Sequence, residues 1–423
     1  MMIRAIRALS LILVAAVSVQ GGTSEQEPLD VLHADRLLSS GQDVNNITNL
    51  IGNVHLRQGT TDLKATRAIW YKKTNVVVFL DSVRITDGPR ALQCQTLTYY
   101  RNSGSALAVG EVVINDSTEQ MQLKASKVDY IRAQDRFIAT GGPMLTLNPQ
   151  SDSNKTDIEA DSIIYDSPTK SGIAINRVSI IRKNVVSSSE RAEFYQGGNL
   201  IKLLGNPHVV EGENNIDGDE IDLLTSERAL TGMTVEGDAR ADYRSRPDST
   251  VDEYTEAILE GKQLQVFFAD DVVSRAVMRR NATSYYYPAA SDTISQGKNI
   301  ASGDSISLFF DNSRIYRVLI LGGAQGQYIE DKPQPDGGVK PETTFYNAEE
   351  INYMVDDGTI DLYNRAGLRY QNLGLESGNV QYRVEDQIMI ATGIPVTTDS
   401  GTVIEQKPVL REDNEELKGE RMT

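Results

Sequence analysis

A six-residue pattern recurs eleven times along this chain, and a recurrence of that kind constrains the fold before any single residue does. The pattern is a small residue, two mostly polar residues, an apolar residue, a free position, and an aromatic or apolar residue. It reads Ala65-Thr-Arg-Ala-Ile-Trp70, Cys94-Gln-Thr-Leu-Thr-Tyr99, Ala125-Ser-Lys-Val-Asp-Tyr130 and Ala160-Asp-Ser-Ile-Ile-Tyr165 in the first half. Later copies include Gly218-Asp-Glu-Ile-Asp-Leu223, Gly303-Asp-Ser-Ile-Ser-Leu308 and Ala348-Glu-Glu-Ile-Asn-Tyr353. Successive small residues stand 29 to 35 residues apart from Ala34 to Gly218, and 42 to 45 apart from Gly218 to Ala348. In the first copy, Ala34-Asp-Arg-Leu37, the sixth position is Ser39, the one failure of the pattern.

Between copies runs a shorter element of alternating apolar residues, often led by glycine: Gly52-Asn-Val-His-Leu56, Val83-Arg-Ile85 and Gly110-Glu-Val-Val-Ile114. Period-two alternation, β-branched and tyrosine enrichment, and punctuation by Asn, Asp, Gly and Ser specify strands, about two per repeat. The alternation also slips. In Leu123-Lys-Ala125-Ser-Lys-Val128-Asp-Tyr130 the apolar positions are odd before the small residue and even after it. A one-residue slip with inward side chains on both sides implies a bulge, so each strand is expected to fold over into a V with the small residue at the inside of the bend. The predicted fold class is all-β: an elongated, V-shaped antiparallel solenoid of stacked two-strand repeats, each burying its apolar face against its neighbours.

Met1 to Gly22 reads as a cleaved secretory signal. Arg4 and Arg7 precede an apolar stretch of about a dozen residues, too short for a bilayer core that needs roughly 20, and small residues follow at Gly21 and Gly22. The exported remainder divides into an N-terminal array, 23–240, and a C-terminal array, 241–423. The second carries longer loops at 243–257, 285–298 and 332–344, rich in Pro, Gly, Asp and Ser. The last residues, Leu417-Lys-Gly419-Glu-Arg-Met422-Thr423, begin a twelfth copy and stop one position before its aromatic, so a longer natural chain is expected.

Charge and composition exclude several classes. The chain has 42 Lys+Arg against 59 Asp+Glu, a net charge of −17, or −19 (40 minus 59) once 1–22 are removed. That balance argues against nucleic acid, whose non-specific affinity comes from Lys and Arg. A single cysteine excludes internal disulfides and a cysteine-based zinc site, and Cys94 reads as a small buried hydrophobe. His33, His55 and His208 show no acid-and-nucleophile pattern in sequence, and the densest acids, Asp217, Asp219, Glu220 and Asp222, alternate with Ile221 and Leu223 as on a solvated strand. No catalysis, metal or cofactor is expected.

The segments Leu50-Ile-Gly-Asn-Val-His-Leu56, Leu63-Lys-Ala-Thr-Arg-Ala-Ile-Trp-Tyr71 and Ile158-Glu-Ala-Asp-Ser-Ile-Ile-Tyr165 resemble the OstA-like family of lipopolysaccharide-transport proteins, which comprises LptA and the periplasmic N-terminal domain of LptD. The resemblance implies a V-shaped β-jellyroll whose apolar groove holds lipid A acyl chains. It implies joining to other jellyroll proteins of the system by edge-strand pairing, and a place in the periplasm, associated with the outer membrane. Carried over by motif, the groove positions are Val54, Leu56, Val83, Ile85, Leu97, Tyr99, Val112, Ile114, Val128, Tyr130, Ile163 and Tyr165, with later equivalents Ile221, Ile306 and Tyr353. Arg67, Lys127 and Arg177 are expected at the rim as headgroup contacts. Two arrangements stay open, a free LptA-like bridge or an LptD N-terminal region with an outer-membrane barrel beyond Thr423. A ligand-free structural or adhesin-like solenoid shares the repeats and the signal, and differs in having a closed core where the other has an open groove.

Overall fold

The computed structural model of the chain describes residues 28–40, 46–151, 155–195, 198–226, 229–245, 254–269, 272–289, 297–311, 314–333, 339–384, 386–399 and 401–423. The signal segment 1–22 lies outside them, and the three long loops are described only at their ends. The chain divides into two compact units, Met1–Pro207 and His208–Thr423; the boundary drawn from sequence at residue 240 falls within a strand.

The first unit holds β1 (Asp30–His33), β2 (Arg36–Ser39), β3 (Ile47–Gln58), β4 (Thr61–Tyr71), β5 (Val76–Asp87), β6 (Arg90–Tyr100), β7 (Ser105–Asp116), β8 (Met121–Ile131), β9 (Arg136–Thr140), β10 (Met144–Leu147), β11 (Thr156–Glu159), β12 (Ser162–Asp166), β13 (Ser171–Arg182), β14 (Val185–Tyr195) and β15 (Leu200–Leu204). The second begins with β16 (His208–Glu211), β17 (Asn214–Asp217), β18 (Glu220–Ser226), β19 (Ala229–Ser245), β20 (Thr255–Ala269), β21 (Val272–Tyr287), β22 (Lys298–Asp311), β23 (Arg314–Pro333), β24 (Val339–Met354), β25 (Thr359–Tyr370) and β26 (Leu373–Arg383). Six shorter strands follow, the last at Arg421–Met422. Paired neighbours run antiparallel, and a single 3-10 turn, Arg132–Gln134, is the one helical element among the described residues.

The repeat is the bend. In alternate pairs of long strands the ladder is broken by a bulge in which two residues face one: Gly52 and Asn53 on β3 against Thr66 on β4, Asp81 and Ser82 on β5 against Gln95 on β6, Gly110 and Glu111 on β7 against Ser126 on β8. The two-residue side is left-handed at both positions, with φ +76° and +45° at Gly52 and Asn53 and +83° and +46° at Gly110 and Glu111. This explains the glycine that leads so many of the short elements, because a Cβ on Gly110 would stand 2.4 Å from the Gln95 side chain. The small residue of the repeat lies beside the bulge, facing inward: Ala65 opposite Val54, Cys94 opposite Val83, Ala125 opposite Val112. In the second unit the partner at this place is alanine throughout: Gly261 opposite Ala239, Gly303 opposite Ala282, Ala348 opposite Ala324, Ser377 opposite Ala366.

Each bent strand of the first unit therefore contributes to two half-sheets that meet at the bend. β9 with β10, and β11 with β12, are the halves of strands interrupted there. The inward faces of both half-sheets are buried, with Phe79, Ile85 and Leu56 at 1% exposure or less. Removing a side chain of this size from water stabilises by about 1.5–3 kcal/mol, so a stack of such rows is the main cohesive term of the unit.

The outer face of the second unit carries a different ladder. Phe267, Arg275, Phe309 and Arg317 are direct cross-strand neighbours on β20 to β23, and each guanidinium lies 5.1–5.7 Å from a phenylalanine ring centre. The rings and charges shield each other on a face that no further layer covers among the described residues, as cation–π pairs can.

Candidate functional site

The bend sorts the inward residues of the first unit into rows that cross the strands at right angles. In the half-sheet holding the start of β4, β6 and β8, one row runs Leu56, Leu63, Ile85, Leu92, Ile114, Leu123 and continues to Leu145, Ile158 and Ile180. It is aliphatic at every step. In the other half-sheet the facing row mixes large and small, with Phe79, Leu97, Ala108, Val128, Ala139 and Ile163 in succession. Neighbouring strands lie roughly 4.8 Å apart, so each row is a continuous apolar track across the repeats.

These rows contain the positions expected from sequence. Val54, Val83 and Val112 line the bend; Leu56, Ile85 and Ile114 lie on the aliphatic row; Leu97, Val128 and Ile163 lie on the facing row. Tyr99, Tyr130 and Tyr165 lie one row further out. All twelve are exposed by 8% or less. In the second unit Ile221 and Ile306 belong to one row with Val235, Leu264, Met278 and Ile320, fully buried or nearly so, whereas Tyr353 beside Val318 is half-buried. In the first unit the structure brings the twelve expected positions together on the inner face and packs them closely there.

The two outermost inward rows of the first unit differ in chemistry. At the tip of one half-sheet the row is aromatic: Tyr99, Ala106, Tyr130, Phe137, Tyr165, Gly172 and Phe194 are consecutive partners. Tyr130 stacks on Phe137 at 5.0 Å and Tyr165 on Phe194 at 6.2 Å, and Gly172 leaves the room that the Phe194 ring fills. Burial pushes all three tyrosine hydroxyls above the usual phenol range; nearby Asp135 adds to this at Tyr130, and Glu119 and Asp116 at Tyr165. The Tyr130 hydroxyl donates to Asp135 at 3.1 Å.

At the tip of the other half-sheet the row is polar. Arg90 on β6 is the direct partner of Asp116 on β7, and Nε donates to the carboxylate at 2.9 Å, with side-chain exposures of 12% and 3%. Asp116 faces inward in phase with Val112 and Ile114, where a bare carboxylate would be costly. Arg90 and the backbone N–H groups of Thr118 and Glu119, at 2.9 and 3.0 Å, offset that cost. Thr61 Oγ1 on this side and Trp70 Nε1 on the aromatic side are buried without a hydrogen-bond partner.

The cations expected at the rim are elsewhere. Arg67, Lys127 and Arg177 all stand at the bend, on the side away from the interior: Arg67 bonds Asn49 at 3.2 Å, Lys127 pairs with Asp129, and Arg177, 86% exposed, is itself a left-handed bulge residue paired with Asp161. The tips carry Arg90, Arg132 and Lys170 in their place. Sequence reasoning passed these over because they stand at strand ends and in turns, where the repeat imposes no residue type. Each histidine also has an acid partner: His33 with nearby Asp35, and, across strands where the sequence does not place them together, His55 with Asp62 and His208 with Asp217. Among the described residues no three His, Cys, Asp or Glu side chains gather into a metal-binding cluster, and no helix is long and apolar enough to cross a membrane.

Bent antiparallel strands stacked around continuous inward rows define a β-jellyroll-like class. Residues 34–171 match the family described as LptA/(LptD N-terminal domain) LPS transport protein, a segment that holds most of the rows traced in the first unit. Over that segment the chain is similar to the OstA-like lipopolysaccharide-transport family that its motifs resemble. The chain is also similar to the crystal structure of LptH, described as the LptA homologous periplasmic component of the conserved lipopolysaccharide transport device from Pseudomonas aeruginosa. That likeness has 18% identity, covers 37% of this chain and 93% of that one, and has a TM-score of 0.26, too low to bear on the fold, which the strand pairing itself defines. No curated protein matches the chain.

Proposed function

We propose that the chain carries lipopolysaccharide through the periplasm toward the outer membrane, with lipid A acyl chains held between the two half-sheets against the inward rows. The observation that carries this reading is the aliphatic row from Leu56 to Ile180, unbroken over nine strand crossings inside the matched family segment and beyond it. The interior between the half-sheets is bordered by an aromatic rim at the tip of one and a charged rim at the tip of the other. That border suits an amphiphile whose chains lie inside and whose headgroup stays at the tips.

Joining to a second jellyroll by strand pairing is supported by β1 and β2, which pair only with β3 among the described residues and leave Val31, Leu32, Leu37 and Leu38 about half exposed. An apolar edge of this kind is a template for another strand. The structural or adhesin-like reading draws on the close packing of the interior, and the same experiment decides between the two. A photoreactive residue at Tyr130, 4% exposed and inward, is expected to form a lipopolysaccharide adduct in the periplasm; one at Lys127, outward with a side chain 47% exposed, is not. Folded, exported protein with no adduct at Tyr130 sinks the lipid-carrying reading.

A further inference from the structure

The two half-sheets of the first unit touch at their tips. Glu119 lies in the β7–β8 turn, at the tip of the polar half-sheet, and Lys170 lies in the β12–β13 turn, at the tip of the aromatic one. Lys170 Nζ donates to both Glu119 oxygens, at 3.0 and 3.2 Å, across 51 residues of sequence. The pair therefore crosses the opening between the half-sheets, above the interior that the inward rows line. Its surroundings hold it in place. The Glu119 N–H donates to inward-facing Asp116, which Arg90 holds in turn, and the Lys170 N–H donates to the Ser167 carbonyl within its own turn. Ser167 N–H donates to the Asp135 carbonyl, tying this turn to the neighbouring 3-10 turn that carries Arg132.

The geometry points to a latch: the Glu119–Lys170 ion pair holds the mouth of the first unit shut, and an anionic amphiphile opens it by taking Lys170 away from Glu119. This inference rests on the lipid-carrying reading above and adds to it a gate and a trigger. With the pair made, the interior rows are closed, Tyr130 and Asp116 each at 4% exposure on opposite sides. An acyl chain that enters from the side must part the tips. The Glu119–Lys170 tie across them is an exchangeable ion pair, partly exposed, with side-chain exposures of 37% and 17%. Arg132, on the adjoining turn, forms no ion pair among the described residues, and its charge reaches Tyr99 and Tyr130. An arriving phosphate or carboxylate meets Arg132 first and then competes with Glu119 for Lys170.

The test uses the full mature chain with Cys94→Ala, which removes its only thiol, and with Glu119→Cys and Lys170→Cys bridged by a bis(methanethiosulfonate) spacer matched to the gap. The probes are pyrene-labelled phosphatidic acid and the uncharged pyrene-labelled diacylglycerol, with uptake read as pyrene emission quenched or blue-shifted on burial. Freed by reductant, the protein should take up the anionic probe; bridged, its uptake should fall at least about tenfold. Equal uptake by the bridged and freed forms overturns the latch while leaving the lipid groove standing. No uptake by the freed form, or by the parent chain, overturns the lipid-carrying reading itself. Lys170→Met, with Glu119 intact, separates the trigger from the tie: uptake of the uncharged probe should quicken about fivefold, the weight of one partly exposed ion pair, and the preference for the anionic probe should disappear. A preference for the anionic probe that survives Lys170→Met, in protein whose strand content is unchanged by circular dichroism, refutes Lys170 as the point of capture.

Discussion

Cys94 stands on the inside of a bend at 6% exposure, opposite Val83, and burial pushes its thiol up to about 12. A thiol in that state is protonated at neutral pH and shielded as well, so alkylation by iodoacetamide at pH 8 should run on the order of a thousandfold slower in the folded chain than in guanidinium. Comparable rates in the two states would mean that the bend opens readily. The rim tyrosines make an alkaline prediction. Burial raises the Tyr165 hydroxyl above its usual value near 10, so the folded chain holds that proton more tightly than the unfolded chain does. Its contribution is fully present below a pH of about 10 and is lost as pH rises toward the folded value. Tyr165→Phe keeps the stack on Phe194 and removes the titration, so the alkaline unfolding midpoint should move up; an unchanged midpoint would place the alkaline weak point elsewhere.

At the scale of the strand, the bulge is the unit of construction, and its two sides obey different rules. Gly110 at φ +83° faces Gln95 with no room for a methyl group, whereas Gly88 at φ +56° has nothing within 4 Å of a Cβ. Gly110→Ala should therefore cost about 2–3 kcal/mol and Gly88→Ala only about 1, the price of the left-handed backbone alone, as read from urea midpoints. A reversed order would remove the bulge from its place as the specifying element. On the second unit's outer face, Phe309 stacks against both Arg275 and Arg317, so Phe309→Leu should lose about 1–2 kcal/mol. Much of this element structure is legible in sequence. The phase slip at Ala125 predicts a bulge, and the glycine that heads many of the short elements marks its left-handed side. The alanine partners of the second unit, Ala239, Ala282, Ala324 and Ala366, are not legible, because a buried alanine carries too little hydrophobic signal to stand out until register pairs it with its anchor.

For the molecule as a carrier, alternation along a strand should appear as alternation in lipid contact. Photoreactive residues at Ile85 and Ile114, inward at 0% and 8% exposure, should yield lipopolysaccharide adducts, and those at Arg84 and Val113 on the opposite face should not. Adducts without that period-two pattern would mean lipid on the surface, outside the interior. By itself the sequence determined the strands, the bend and which side chains face inward. Each of these follows from side chains one to five residues apart, where pleat and bulge geometry tie position to face. The tertiary structure alone decided what closes the interior. Glu119 and Lys170 sit in turns, outside every repeat motif and 51 residues apart, and Arg67, Lys127 and Arg177, which motif position suggested for the rim, stand at the bend. Which tips meet depends on how bent strands stack through space, and no local pattern records that.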